Sequence, residues 1–332
     1  MSGGVLVINK PRGISSFEVV KEVSKSLLPK NNPGAYDLLK SFGIVAHGKK
    51  IPVGHAGTLD PEATGVLVVC VGEATKLVPY LMDGQKEYMA SILLGVRTDT
   101  DDLSPESKVL YRANPPLLEQ VDMDQIQKAL LHFVGHIEQA PPVYSALKVE
   151  GKRMYELARD YSKAGLQKEA DLLSDSKKRT VFVEAISQVE FHRPYVLARI
   201  VCHKGTYIRS IARDLGEMLG VYGTLSELQR TRVGSFGLDK SVSLEEIQKG
   251  HLPFMSMRQA VAHLPCVDIS KEEARHVFQG KVSVALSQRL DKTISQEVNA
   301  VFLVRPSGDL SAVVQRKEGR FMIGRGFGNS EN

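Results

Sequence analysis

Hydrophobic and polar positions along the chain follow two different periods. Continuous apolar runs rich in β-branched residues predict buried strands at residues 4–9 and 66–71. Apolar residues that recur every three or four positions predict amphipathic helices at 122–133 and 206–219. Because strands and helices are mixed with long hairpins rather than strictly alternating, the order predicts an α+β fold. Further strands are predicted at 86–96, 180–189 and 195–202, the last two adjacent, and further helices at 74–82 and 151–160.

Serine residues mark two predicted helix starts. Ser15 or Ser16 stands before an apolar stripe, and either can cap a helix that runs to residue 28. Ser243 is followed three residues later by Glu246, which matches a capping box. This pair predicts a helix at 243–249.

The pattern changes near Pro265. Beyond it, short apolar runs separated by turn residues predict a small β-rich module. We therefore expect two domains, at residues 1–252 and 265–332. Strand candidates within the module lie at 267–269, 282–285, 300–304 and 310–315.

Three polar segments interrupt the first domain. Residues 29–52 are rich in glycine and proline and predict an insertion with one short helix near 36–42. Residues 162–178 predict a second insertion. Residues 98–107 predict an acidic surface loop, whose carboxylates are Asp99, Asp101 and Asp102.

Composition places the chain among ordinary globular proteins. Its 332 residues, 42% hydrophobic and 24% charged, suffice for two domains with sizeable cores. They exclude a disordered, collagenous or fibrous chain. No apolar run reaches about 18 residues, and the N-terminus lacks the basic region of a signal peptide. We therefore expect a cytoplasmic protein with no membrane partner.

Cysteine and histidine usage gives no metal signature. Cys70, Cys202 and Cys266 lie far apart and form no C-x-x-C pair, so neither a disulfide framework nor a cysteine zinc site is supported. The histidines are scattered. A Walker loop, a dinucleotide fingerprint and a nucleophile elbow are also missing from the sequence. Nucleotide hydrolysis, dinucleotide redox chemistry and α/β-hydrolase chemistry are therefore disfavoured.

The excess of positive charge is confined to one third of the chain. The formal net charge is +5, and residues 140–240 hold 17 Lys and Arg against 12 Asp and Glu. The rest of the chain is balanced, with 26 of each sign. A basic surface attracts polyanions, nucleic acid first among them. A solvated basic face is the alternative, and charge alone does not decide between them.

The first candidate for chemistry is Asp60. It stands in an unusual run of glycine, proline and small residues that leads directly into the predicted strand at 66–71. Pro61 keeps Asp60 out of helical conformation, and functional groups are often placed on such constrained loops. The structural alternative is an aspartate that caps a turn through Thr58 or Thr64.

The second candidate is the start of the helix at 206–219. Tyr207 and Arg209 project from its first turn, where the helix dipole disfavours a cation unless an anion pairs with it. A carboxylate such as Asp60, or a phosphate, would supply that pairing. A solvent-exposed arginine is the alternative.

Two further side chains are candidates for binding a base. Tyr88 is an aromatic on a predicted strand flanked by charge, as in a base-stacking platform, although an ordinary edge-strand tyrosine also fits. His55 could act as a base, a metal ligand or a stacking group. A lone histidine is rarely a metal site.

Taken in order, these segments resemble the TruB family of tRNA pseudouridine synthases. The resemblance spans residues 4–252 and, more loosely, the β-rich tail. It rests on an ordered set of motifs rather than on one. They are 4–16 (GVLVINKPRGISS), 54–67 (GHAGTLDPEATGVL), 72–76 (GEATK), 86–88 (KEY), 95–102, 140–148 (APPVYSALK), 205–209 (GTYIR) and 228–234 (LQRTRVG).

The resemblance implies a pseudouridine-synthase fold, with a central mixed, mainly antiparallel sheet flanked by helices and a small PUA-like RNA-binding domain at the C-terminus. It also implies the isomerisation of uridine to pseudouridine at position 55 in the T loop of tRNA. Three residues would be catalytic. Asp60 would be the nucleophile, Arg209 would pair with it and hold it ionised, and Tyr207 would act in proton removal from carbon 5.

Four further residues would bind the substrate, again as the resemblance implies. Tyr88 would stack on the flipped uracil, and His55 would help to fill the space that the extruded nucleotide leaves. Leu228 would line the base pocket, and Arg230 would support the site. No metal or organic cofactor is implied, and the expected partner is the T-arm of tRNA, bound by a monomer without guide RNA.

Departures from the family pattern concern RNA docking. Between Ser16 and His55 the chain is longer than the bacterial pattern by about twenty residues, more than an ordinary connecting loop. Gln229 stands where arginine is common, which would weaken one RNA contact. Two alternatives stay open: a guide-RNA-dependent relative that works in a ribonucleoprotein, and a non-catalytic RNA-binding or RNA-folding module.

Overall fold

The computed structural model describes residues 3–28, 31–44, 50–145, 147–149 and 151–328. Packing divides the chain into two compact units. The first unit comprises Met1–Leu59, Val66–Met82 and Ser235–Asn332, and the second comprises Asp60–Gly65 and Asp83–Gly234. These units are defined by packing alone, so the functional domains predicted at 1–252 and 265–332 stay a prediction.

Strands and helices are numbered in chain order. In the described part of the chain the strands are β1 (Gly3–Lys10), β2 (Val53–His55), β3 (Thr64–Gly72), β4 (Lys86–Leu94), β5 (Val96–Thr98), β6 (Val109–Arg112), β7 (Gly135–Gln139), β8 (Lys148–Val149), β9 (Lys152–Arg153), β10 (Arg179–His192), β11 (Tyr195–Cys202), β12 (Gly223–Val233), β13 (Phe236–Gly237), β14 (Val242–Ser243), β15 (Met255–Ser256), β16 (Cys266–Asp268), β17 (Ala300–Val304), β18 (Leu310–Lys317) and β19 (Arg320–Gly326). The α-helices are α1 (Ser16–Ser26), α2 (Ala35–Ser41), α3 (Val78–Leu81), α4 (Pro115–Gln120), α5 (Met123–Leu131), α6 (Met154–Ala164), α7 (Gln167–Asp175), α8 (Ile208–Met218), α9 (Leu244–Gln248), α10 (Met257–Ala260), α11 (Lys271–Phe278) and α12 (Val284–Thr293).

The second unit is built on an antiparallel run of strands in the order β12-β4-β11-β10-β7. The first two residues of β3, Thr64 and Gly65, add a parallel pairing to Gln229 and Arg230 of β12. The predicted adjacency of the strands at 180–189 and 195–202 is confirmed. The sheet is therefore mixed and mainly antiparallel, as the family resemblance implied.

Helix α8 covers this sheet through β12 and also contacts α5. Its buried stripe includes Ile208, Ile211 and Leu215, at the spacing of one helix face. Asp122 and Gln125 form a capping box at the start of α5. The apolar face of α8 therefore packs against the sheet and α5, and this packing fixes the position of the start of α8.

The first unit carries a second run of strands, β14-β1-β3, with β2 on β3 and β15 on β1. Ser15 is the N-cap residue of α1, and it forms a capping box with Glu18. Helix α2 is the short helix predicted near 36–42, and its Leu39 is 5% exposed in the same core as α1. Burial of such a leucine stabilises the fold by about 1.5–3 kcal/mol. Residues 29–30 and 45–49 of the predicted insertion lie outside the described residues.

The C-terminal part of the first unit forms a separate four-stranded sheet in the order β16-β17-β18-β19. The strand candidates at 267–269, 300–304 and 310–315 correspond to three of these strands. The strand predicted at 282–285 is wrong, because the hydroxyl of Ser283 accepts the backbone N–H of Leu286 and caps α12. Leu286 and Leu290, four residues apart, then pack into the core of the module.

The second predicted insertion is helical. It contains the end of α6 and all of α7, and two polar contacts join α7 to other parts of the second unit. Asp171 pairs with Arg97 at 3.0 Å, and the Ser174 hydroxyl donates to the carbonyl of Pro141 at 2.5 Å. None of the helices in the described residues is long and apolar enough to cross a membrane.

Candidate active site

Asp60 lies on the loop between β2 and β3, and hydrogen bonds fix the loop on both sides of it. The Ser16 hydroxyl accepts the backbone N–H of Leu59 at 2.8 Å and donates to its carbonyl at 2.9 Å. On the other side, the N–H of Ala63 donates to the carbonyl of Asp60 at 3.1 Å. The small-residue run around Asp60 therefore forms a tight, constrained turn, as predicted.

Gly65 shows why this loop needs glycine where it joins β3. Its φ is 102°, and a Cβ atom there would lie 2.2 Å from the carbonyl oxygen of Arg230. Only a residue without a side chain allows this approach. The close packing holds the end of the Asp60 loop against β12, which carries Leu228 and Arg230.

Asp60 forms an ion pair with Arg209, as the sequence predicted. The distance from Asp60 Oδ2 to Arg209 Nε is 2.9 Å, with side chains 39% and 7% exposed. Arg209 is the second residue of α8, where the helix dipole opposes a cation, so the carboxylate offsets that cost. Asp60 is thus a half-exposed carboxylate held against a buried guanidinium.

Several other groups hold Arg209 in place. Its Nη1 donates to the carbonyls of Thr100 and Tyr144 at 3.0 and 3.1 Å, and Asp102 Oδ2 lies 3.8 Å from Nε. Burial opposes the charge of Arg209, but the carboxylates of Asp60 and Asp102 outweigh it and raise the pKa of Arg209. The guanidinium therefore stays charged next to Asp60.

The loop that carries Thr100 and Asp102 corrects the sequence prediction for residues 98–107. It was predicted to be an acidic surface loop, but Asp99 and Asp101 are 5% and 4% exposed. Asp101 has a φ of 59° and pairs with Arg213 Nη1 at 3.1 Å. Sequence reasoning therefore missed Asp102 and Thr100 as neighbours of Arg209, although both stand in the family motif at 95–102.

Tyr88 and Arg230 face each other across the β4–β12 ladder. Tyr88 is 7% exposed and Arg230 is 1% exposed. Burial raises the pKa of Tyr88, opposed by the charge of Arg230 and a hydrogen bond from it, while the charge of Asp60 adds to the increase. These interactions place the phenol of Tyr88 close to both Arg230 and Asp60.

Tyr207 and Leu228 complete the group. Tyr207 immediately precedes α8 and lies two residues before Arg209 in the chain. Leu228 lines a small open cleft together with Asp60 and Asp102. Apolar and acidic side chains thus share a cleft beside the Asp60–Arg209 pair.

Six of the seven predicted site residues lie together in the second unit. They are Asp60, Tyr88, Tyr207, Arg209, Leu228 and Arg230. His55 belongs to the first unit, where it ends β2 opposite Val69 of β3. Within the described residues, no three His, Cys, Asp or Glu side chains are grouped as metal ligands.

Two family models match most of the chain. The TruB family pseudouridylate synthase N-terminal domain matches residues 46–208, and the tRNA pseudouridylate synthase B C-terminal domain matches residues 209–260. The site therefore lies in a pseudouridine-synthase fold, and the chain belongs to the TruB family.

Two relatives show how far this similarity extends. The tRNA pseudouridine synthase B of Gloeothece citriformis is 39% identical over 305 residues, which cover 90% of this chain and 87% of the relative. The protein of the same name from Parabacteroides distasonis is 40% identical over 247 residues, 74% of this chain and 92% of the relative.

Solved structures share the fold. A chain in the crystal structure of a Cbf5-Nop10-Gar1 complex is 25% identical, with a TM-score of 0.65, over 98% of this chain and 84% of that chain. A chain of an H/ACA RNP bound to a substrate RNA has a TM-score of 0.66 at 22% identity, over 99% and 86% of the two chains. This second likeness concerns the fold alone.

Proposed function

We propose that this chain isomerises uridine 55 in the T loop of tRNA to pseudouridine, with Asp60 as the nucleophile. The observation that carries the proposal is the 2.9 Å ion pair between Asp60 and the buried Arg209, in a chain of the TruB family. A half-exposed carboxylate is reachable by substrate, and the charged guanidinium beside it holds it in place, as a carboxylate nucleophile requires.

The reaction begins with the target base taken out of its stack. Flipping costs a few kcal/mol, and stacking on an aromatic ring returns about 1–3 kcal/mol. Tyr88 is assigned that stacking role. Leu228 is assigned to the wall of the base pocket and Arg230 to holding Tyr88. His55 is assigned to the space that the flipped nucleotide leaves.

The chemical steps balance without a cofactor. Asp60 attacks C1′, and the N1–C1′ bond breaks with its electron pair going to the uracil. The base turns, and its C5 attacks C1′ and displaces the Asp60 carboxylate. The proton on C5 then leaves, its bonding electrons restore the C5–C6 double bond, and N1 takes up a proton from water. Tyr207 is assigned to relay this proton to water. Because substrate and product are isomers, no oxidant, reductant or metal is consumed.

The proposed partner is tRNA alone, bound by a monomer in the cytoplasm. The relatives named tRNA pseudouridine synthase B support this choice. The C-terminal module at 265–332 is proposed to contact RNA, with the catalytic domain at 1–252. The likeness to a chain in a Cbf5-Nop10-Gar1 complex supports a second candidate function, a synthase that needs protein partners and a guide RNA.

A single assay separates these functions. The purified chain is incubated with unmodified tRNA transcript, without guide RNA or added metal, and pseudouridine is mapped by position, with Asp60→Ala in parallel. Pseudouridine at position 55, lost in the variant, supports the proposal. Bound transcript without product rejects it and favours the guide-dependent function or an RNA-folding role.

A further inference from the structure

Tyr207 occupies a helix start that its own side chain does not cap. It is the N-cap residue of α8, with φ −104° and ψ 115°, and its side chain makes no capping hydrogen bond. Helix starts are usually fixed by Ser, Thr, Asp or Asn at this position. The placement of Tyr207 therefore depends on groups outside α8.

Gln139, the last residue of β7, binds the backbone of Tyr207. Its Oε1 accepts the Tyr207 N–H at 2.8 Å, and its Nε2 donates to the Tyr207 carbonyl at 3.0 Å. Gln139 is 2% exposed, and only one orientation of its amide satisfies both bonds. A single side chain thus fixes both main-chain groups of Tyr207, as a neighbouring strand would.

Arg179, the first residue of β10, holds the ring of Tyr207 and the turn before it. Arg179 lies opposite Gln139 in the β7–β10 ladder, so the two residues are neighbours on the sheet. The guanidinium carbon lies 5.0 Å from the ring centroid, within the range of a cation–π contact. Its Nη2 donates at 2.5 Å to the carbonyl of Gly205, which has a φ of 91°.

We propose that Gln139 and Arg179 are positioning residues that hold Tyr207 for the removal of the proton from carbon 5. This inference rests on the proposed function, in which Tyr207 relays that proton. Gln139 fixes the backbone from which the ring projects, and Arg179 fixes the face of the ring. Neither residue contacts Asp60 in this scheme, so the earlier attack on the sugar depends on them less than the proton step does.

The test compares Arg179→Met and Arg179→Lys with a matched control, Arg199→Met. Arg199 is also a half-buried arginine of the same sheet, but it pairs with Glu87 instead of contacting Tyr207. Pseudouridine formation is measured on transcripts with hydrogen or deuterium at carbon 5 of uridine. Gln139 is buried, so its substitution can disturb folding, and the main variants are therefore made at Arg179. Gln139→Glu, which keeps one hydrogen-bond acceptor, is the second variant.

For Arg179→Met we expect kcat to fall about 10- to 100-fold, as for a misplaced catalytic group, with an unchanged KM. The isotope effect of deuterium should increase, because the proton step becomes slower relative to the others. Arg179→Lys should recover part of the rate, and Arg199→Met should match the wild type. Gln139→Glu should resemble Arg179→Met.

Two results would overturn the inference alone. One is an active wild type with an unchanged rate in Arg179→Met. The other is a slower variant whose isotope effect is unchanged or matches that of Arg199→Met, which would indicate a general structural role. A wild type that binds the transcript and forms no pseudouridine would instead overturn the proposed function, and the inference with it.

Discussion

Helix α8 presents two arginines, one turn apart, to two carboxylates in very different surroundings. Arg209 and Arg213 are similarly buried, with side chains 7% and 9% exposed. Their partners differ, because Asp60 is 39% exposed and Asp101 is 5% exposed. An RNA substrate can reach the first carboxylate and not the second. In the proposed function, the same pair of residue types thus serves catalysis at one position and structural support at the next.

The buried Asp101–Arg213 pair connects segments that are far apart in sequence. Arg213 Nη1 meets Asp101, its Nη2 donates to the carbonyl of Ala140 at 3.2 Å, and its Nε donates to Asp214 at 2.8 Å. Burial acts against the charge of Arg213, but Asp101 and Asp214 outweigh it and raise the pKa of Arg213. Asp101 in turn anchors the loop that presents Thr100 and Asp102 to Arg209.

The largest effect should follow from neutralising the exposed carboxylate. Asp60→Asn removes the proposed nucleophile and keeps the shape of the side chain, so we expect pseudouridine formation to fall by about 10⁴-fold or more. The melting temperature should fall only modestly, because Arg209 keeps Asp102 and the carbonyls of Thr100 and Tyr144 as partners. Single-turnover kinetics and thermal unfolding measure the two quantities. A rate within tenfold of the wild type would contradict the assignment of Asp60.

The matching change at the buried pair should have the opposite profile. Asparagine tolerates the positive φ at position 101, but Asp101→Asn leaves the buried charge of Arg213 poorly compensated. We expect the free energy of unfolding to fall by about 3 kcal/mol. The rate per folded molecule should fall far less than in Asp60→Asn. Urea unfolding measures this loss. A loss of unfolding free energy in Asp101→Asn no larger than that expected for a solvent-exposed ion pair would contradict the contrast.

Lys86 is a third buried cation, and burial is the main influence on its pKa. Burial, together with the nearby charge of Arg230, lowers the pKa of Lys86 to about 8. The unfolded value is near 10.5, so the favourable contribution of the neutral form is complete above pH 10.5 and is lost as the pH falls through 8. Relative to Lys86→Met, the wild type should gain up to about 3 kcal/mol in unfolding free energy between these pH values. If urea unfolding gave the same pH dependence of unfolding free energy for the wild type and Lys86→Met, this interpretation would be rejected.

The smallest effect concerns the support of the Asp60 loop. Ser16→Ala removes both hydrogen bonds to Leu59 and should destabilise the fold by about 1–3 kcal/mol. It should also slow the reaction, because the residue next to Asp60 loses its anchor. Ser26→Ala is the matched control, since its buried hydroxyl donates only within α1, to the carbonyl of Glu22 at 3.1 Å. Equal reaction rates for Ser16→Ala and Ser26→Ala would show that the Ser16 hydroxyl does not support the Asp60 loop.

The Asp60–Arg209 pair could be predicted from sequence because a local rule favours an anion beside Arg209 and the family resemblance implied that Asp60 supplies it. An arginine in the first turn of a helix needs an anion, and Asp60 stood on a constrained loop at a strand start. The Asp101–Arg213 pair follows from no such rule. Asp101 belongs to an acidic run that resembles a solvated loop, and its partner lies 112 residues away. Only tertiary packing brings Arg213 close enough to keep this carboxylate buried.

The strand predicted at 282–285 failed for a related reason. Two valines favoured a strand locally, but the Ser283 cap and the burial of Leu286 and Leu290 favour α12. The cap was visible in the sequence as a serine before a leucine stripe. What the sequence did not contain was the position of the core that the stripe would cover.

The most direct test of the account measures binding and catalysis together for Asp60→Asn. Unmodified tRNA transcript is held at saturating protein, and bound RNA and pseudouridine at position 55 are quantified in the same samples. We expect binding close to that of the wild type and no pseudouridine above background at long times. Product formation by the variant would contradict the claim that the exposed carboxylate of the Asp60–Arg209 pair performs the reaction.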